Sequence, residues 1–114
     1  MKLLIPLAIA TAAAVLPAAT LAQDAGAALA KASRCYSCHD TSNVLIGPPY
    51  QAIAVRYAND RKVMETVLAR KILLGGGGNW GVVPMVPNEH VKPADALLLA
   101  RWVLDQLPTG KPQP

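Results

Sequence analysis

The sequence predicts an all-α protein, and three observations predict it. Apolar residues recur three and four positions apart in several stretches, the spacing that lines one face of a helix. No stretch alternates apolar and polar residues as a half-buried strand would. Prolines and a run of four glycines, Gly75 to Gly78, divide the helical stretches into about four pieces, since glycine and proline are the poorest helix formers.

The first 22 residues stand apart. Met1-Lys2 is a short positive start, Leu3 to Leu16 is almost unbroken apolar sequence, and Thr20-Leu21-Ala22 offers the small residues a signal peptidase reads. A membrane anchor needs roughly 20 apolar residues, and this run is shorter, with Pro6 inside it and Pro17 just beyond. Residues 1–22 are therefore expected to be a signal peptide cleaved after Ala22. Residues 23–114 remain as one exported domain with no stable membrane insertion.

Along that domain, Asp24 is placed to cap a first helix running through Ala25 to Ala32. Thr41 to Pro49 reads as irregular chain, and a short helix follows from about Pro49 to Ala58 with Tyr50, Ile53 and Tyr57 on one face. Asp60 is the expected cap of a third helix. Its buried stripe would be Val63, Met64, Val67, Leu68 and Ile72, and its wet side Arg61, Lys62, Glu65 and Arg70. The glycine run ends that helix, and a loop with Pro84 and Pro87 reaches Val91. The last helix starts near Pro93, carries Leu97, Leu98, Trp102 and Leu104, and ends near Leu107; Pro108 to Pro114 is a polar tail.

Charge and composition narrow the function. Eleven basic residues stand against seven acidic ones, and losing Lys2 with the leader takes the net charge from +4 to +3. Nucleic-acid binding calls for a concentrated basic patch, so that class is set aside. Three Tyr, two Trp and no Phe give a small domain little bulk for a core. Something else should supply it.

Cys35-Tyr36-Ser37-Cys38-His39 has the C-x-x-C-H spacing of c-type haem attachment. Residues three and four apart share a face of a helical turn, so two thiols can bond one haem while the imidazole meets its iron from the same side. A zinc site would need Cys35, Cys38, His39 and His90 as its four ligands, with adjacent Cys38 and His39 crowding one tetrahedron. A thioredoxin-like pair expects a βαβ setting, and a plain disulfide leaves His39 without a role. One covalent haem c is the expected cofactor, with His39 as an iron ligand. For the opposite side Met85 is favoured, because Val83-Pro84-Met85-Val86-Pro87 gives a stiff, non-helical backbone. Met64, His90 and an open site are the alternatives. His/Met ligation is an electron-transfer arrangement that raises the reduction potential.

With these residues in view, the chain resembles the small bacterial class I cytochromes c. The resemblance rests on Cys35-x-x-Cys38-His39, Gly47-Pro48-x-Tyr50, Gly78-x-Trp80-Gly81-x-x-Pro84-Met85-x-Pro87-Asn88 and Leu99-Ala100-Arg101-Trp102-Val103-Leu104. It implies the class I fold, about four helices around one covalent haem. It also implies that the Pro48 carbonyl accepts from the His39 ring, that the Asn88 amide holds the Met85 sulfur, and that Trp80 donates its indole N–H to a haem propionate with Lys71 beside it. Four features depart from the pattern. Arg34 replaces the usual glycine, Ala30 an aromatic that packs the terminal helices, and Val86 a frequent proline. Gly75 to Gly78 is also unusually glycine-rich, and it and Val86 suggest a looser Met85 loop.

The function expected is a monomeric, diffusible electron carrier of the periplasm and not an enzyme. It would take electrons from one redox protein and pass them to another, a respiratory complex or reductase, docking mainly through apolar surface at the haem edge. The alternatives are a subunit of a larger oxidoreductase and a haem enzyme or sensor with an open iron site.

Overall fold

Four α-helices carry the fold: α1 (Ala18–Ala32), α2 (Tyr50–Arg56), α3 (Arg61–Leu74) and α4 (Pro93–Leu104), with 3-10 turns at Cys35–Ser37 and Ala58–Asp60. They come from a computed structural model that describes Met1 and residues 8–109. Residues 2–7 of the expected leader and residues 110–114 of the expected tail lie outside the described residues. Residues 8–16 have no regular structure and are exposed. Among the described residues the sole β-pairing is an isolated antiparallel bridge between Gly76 and Met85, and no helix is long and apolar enough to cross a membrane.

α4 packs against each of the other three helices. Pro93 sits in its first turn, where a missing N–H costs nothing. Ala96, Leu99, Ala100 and Val103 follow at helical spacing and are all buried, with Leu99 only 1% exposed. Leu98 was expected on this face and is instead exposed, because it points opposite that stripe. The helix stops at Leu104 rather than near Leu107. The Trp102 carbonyl in its last turn accepts from the Asp105 N–H at 3.1 Å and from the Gln106 amide at 2.9 Å, the same amide donating to Gln23 at 2.8 Å, and Pro108 follows.

The terminal helices meet without the aromatic that Ala30 displaces. Gly26 and Ala30 lie one turn apart on α1 and are both buried. The Trp102 ring lies so close to Gly26 that a Cβ there would collide with it. A large residue on α4 thus fills the space over small ones on α1. Burying a large side chain gives about 1.5–3 kcal/mol, whereas exposed ion pairs give about 0–1. The Arg61–Asp105 (2.6 Å) and Arg101–Glu65 (3.0 Å) pairs, which join α3 to α4 and to the residue just after it, are therefore the lesser bond.

Two expectations at helix starts need correction. α1 begins at Ala18 after Pro17, with no side-chain cap, so Asp24 lies inside the helix; the alanine-rich stretch before it is itself strongly helix-forming. Asp60 does precede α3, but its side chain makes no capping hydrogen bond. α2 ends at Arg56, two residues short of Ala58, where the chain tightens into the 3-10 turn. On α3 only Ala69 is buried; Val63 is 67% exposed and Val67 45%. The expected stripe exists in part, but Met64, Val67, Leu68 and Ile72 face a cavity rather than a packed core.

Candidate haem site

The cavity lies between α2, α3 and α4 and measures about 460 Å³. That is in the range of sites for small molecules and cofactors, far above what a lone metal ion needs. Its two long walls are built differently.

The first wall grows from the end of α1. Arg34 takes a left-handed conformation, φ 64° and ψ 23°, and turns the chain into the Cys35–Ser37 turn. The Cys35 carbonyl then accepts from the N–H of Cys38 at 3.2 Å and of His39 at 3.0 Å. This is the single turn the spacing predicted, and Cys35, Cys38 and His39 all line the cavity. The thiols are not bonded to each other. Burial pushes the Cys35 thiol above its ordinary pKa. Behind the turn, the Asp40 carboxylate accepts from the Asn43 and Ser42 N–H groups at 2.9 and 3.1 Å. Those bonds hold it below the usual carboxylate range.

His39 is fixed from three sides. Its Nδ1–H donates to the Pro48 carbonyl at 2.7 Å, which assigns the proton to Nδ1 and leaves the Nε2 lone pair available to a metal. Tyr50 stacks on the ring at 5.5 Å between centroids and 23° between planes. Gly47 closes the remaining side: a Cβ there would stand 2.6 Å from His39 Cε1. Tyr50 is itself buried against Trp102 (4.9 Å) and Tyr36 (5.5 Å), both edge-on. Burial raises its hydroxyl pKa strongly, so it stays neutral.

Main-chain hydrogen bonds hold the second wall. Gly76 N–H donates to the Met85 carbonyl at 2.9 Å and Met85 N–H to the Gly76 carbonyl at 2.8 Å. Gly75 has φ 67° and ψ −155°, a region open essentially to glycine alone. A Cβ on it would strike the Met85 carbonyl and the Pro87 nitrogen. The glycine run therefore pins this part of the Met85 segment, where the sequence suggested a looser one. Asn88 does not take the expected place on the Met85 sulfur. Its side-chain amide donates to the Ile72 carbonyl at 2.9 Å and more weakly to Val86 at 3.4 Å, and its backbone N–H also reaches Ile72 at 3.1 Å. Ile72 is in the last turn of α3, where carbonyls lack helical partners, and that demand draws the amide.

Met85 and Met64 both line the cavity, as do Lys71 and Trp80. His90 does not: its Nε2 lies 2.9 Å from the Ser33 carbonyl. That placement removes the bis-histidine alternative and the fourth ligand of a zinc site.

No family model matches the chain. Over 76 residues it is 42% identical to cytochrome c-551 of Allochromatium vinosum, covering 67% of this chain and 80% of that one. Over 104 residues it is 42% identical to cytochrome c-551 of Stutzerimonas stutzeri, covering 90% and 95%. The crystal structure of Nitrosomonas europaea cytochrome c552 superposes with a TM-score of 0.67 at 44% identity, covering 70% of this chain and 98% of that one. The chain belongs to the class I cytochromes c.

The cavity of this cytochrome fits a c-type haem by its own chemistry. Two thiols stand three residues apart beside an imidazole whose Nδ1 is already committed. A thioether lies on the other wall, and Ile53, Leu68, Ile72, Leu99 and Val103 supply apolar lining. At the rim, the Lys71 amine lies beside Gly76, and the Trp80 ring is 41% exposed. Sequence reasoning missed Arg56, whose guanidinium lies 4.6 Å from the Trp80 ring centre. It sits outside every motif, and only its neighbour Tyr57 hinted at a packed aromatic nearby.

Proposed function

We propose that this cytochrome c is a freely diffusing periplasmic electron carrier, not an enzyme. Its single haem is bonded to Cys35 and Cys38 and ligated by His39 and Met85. The observation that carries the reading is that Cys35, Cys38, His39 and Met85 line one cavity, while the Nδ1–H of His39 is spent on Pro48. When bound, the haem supplies a one-electron couple. The chain's residues supply the rest. Pro48, Gly47 and Tyr50 hold the imidazole in one tautomer and one orientation, so little reorganisation accompanies a change of charge on the site. The Gly76–Met85 bridge aims the thioether. The apolar lining keeps water from the ligands, and Lys71 and Trp80 place a cation and an N–H donor where propionates would emerge.

Exposed Ile46, Val83 and Val86 adjoin the cavity mouth, the apolar surface on which a donor and an acceptor protein would dock in turn. A carrier must also let go quickly, which favours a small interface. Cleavage after Ala22 is compatible with the fold. It leaves Gln23 to hold Gln106 and removes no buried residue of α1, the first of which is Gly26.

The test is the intact mass of protein purified from periplasm, after denaturation and extraction with acidified organic solvent. One haem retained on a chain starting at Gln23 is expected. Loss of the haem into the solvent would overturn the attachment.

A further inference from the structure

Between the two ends of the Gly76–Met85 bridge the chain makes an excursion, residues 77–84, that carries Trp80. Among the described residues this excursion makes one hydrogen bond to the rest of the protein: Arg56 Nη1–H donates to the Asn79 carbonyl at 2.6 Å. The same guanidinium stands 4.6 Å from the Trp80 ring centre and 5.4 Å from that of Tyr57. Tyr57 meets Trp80 edge-on at 6.4 Å and 84°. Trp80 is 41% exposed, and a Cβ at Gly78 would meet no atom within 4 Å. Arg56 forms no ion pair among the described residues, so its fork is committed to this loop and not to a carboxylate.

We propose that Arg56 is a positioning residue for Trp80: its guanidinium clamps the indole from outside and ties the Asn79 carbonyl to the end of α2, fixing the indole N–H toward the haem cavity. A planar, permanently charged fork suits both tasks, since one edge donates to a carbonyl while the face covers an aromatic ring. Arg56 touches neither ligand nor thiol. It would act on the haem only through Trp80. The inference rests on the haem reading above for its effect on the redox couple, but not for the clamp itself.

The experiment uses the full mature protein and its two tryptophans, with Trp102 as internal reference because it is buried in the core. Hydrogen exchange of both indole N–H groups is followed by NMR in the native protein and in Arg56→Ala and Arg56→Lys. Losing a cation–π contact and a charge-assisted hydrogen bond should speed Trp80 exchange about tenfold or more, leave Trp102 within about twofold, and place Arg56→Lys between, because Lys keeps the charge but not the fork. Midpoint potentials are then measured for Arg56→Ala in the native and Trp80→Phe backgrounds. The native-background potential should fall as a cation near the site is lost and the indole swings free, and the fall should be clearly smaller once Trp80 is gone. Unchanged Trp80 exchange, equal acceleration of both indoles, or the same potential shift in both backgrounds would each overturn the proposal. A native protein with no haem would defeat the functional reading while leaving the exchange comparison to decide the clamp.

Discussion

The two walls of the cavity hold their candidate ligands by different physics. His39 has one main-chain hydrogen bond, to Pro48, and is otherwise held by packing: it is 9% exposed, stacked on buried Tyr50, which leans in turn on Trp102 of α4. Met85 is held by main-chain bonds to Gly76 and lies among exposed neighbours, with Val83 59% and Val86 66% exposed. Packing of the first kind couples the imidazole to the whole core. Bonds of the second kind couple the thioether to one short backbone pairing. A carrier that must bring its haem near a partner has to thin the protein somewhere, and here it is thinned on the methionine side.

The comparison breaks most visibly at Trp102. Trp102→Ala should cost about 3–5 kcal/mol, as large core truncations do, and loosen His39 through Tyr50; urea unfolding measures the loss. A cost under about 1 kcal/mol would mean that the first wall does not depend on the core. Gly75→Ala is next. Forcing a Cβ into that backbone region costs about 1–3 kcal/mol, and the clash falls on the Met85 carbonyl. The sulfur-to-iron charge-transfer band of the oxidised protein should weaken, while the His39 ring protons keep their shifts in the reduced protein. Equal disturbance of both ligands would erase the distinction between the walls. Arg34→Gly is the smallest. Left-handed backbone costs a non-glycine residue about 1–2 kcal/mol, and glycine's extra freedom when unfolded returns about 0.5–1. The variant should gain about 0–1.5 kcal/mol in urea with both ligands unmoved; a loss of stability would mean that the Arg34 side chain contributes more than its backbone strain costs.

Legibility in the sequence divides along the same line. The Cys35–His39 turn could be read because a covalent spacing dictates its local geometry, and the four helices because apolar spacing does. The Pro48 partner of His39 came from resemblance, and its 2.7 Å contact is local, nine residues away. The second wall was harder. Whether Met64 and Leu68 face a packed core or a cavity is the same pattern in sequence. The role of Gly75 depends on a backbone approach from residues ten or more positions later. Asn88 answers to a helix end that only the folded chain brings beside it. Arg56 reaches Asn79 across 23 residues, and no local rule pairs them.

The proposed carrier depends most directly on which side chain completes the iron's coordination. Met85→Ala and Met64→Ala, each purified in oxidised form, should be compared by the sulfur-to-iron charge-transfer band and by binding of added imidazole or cyanide. In Met85→Ala alone the band should vanish, the potential fall and exogenous ligands bind readily, with Met64→Ala keeping the native spectrum. A band that survives in Met85→Ala and disappears in Met64→Ala would contradict the proposed ligation.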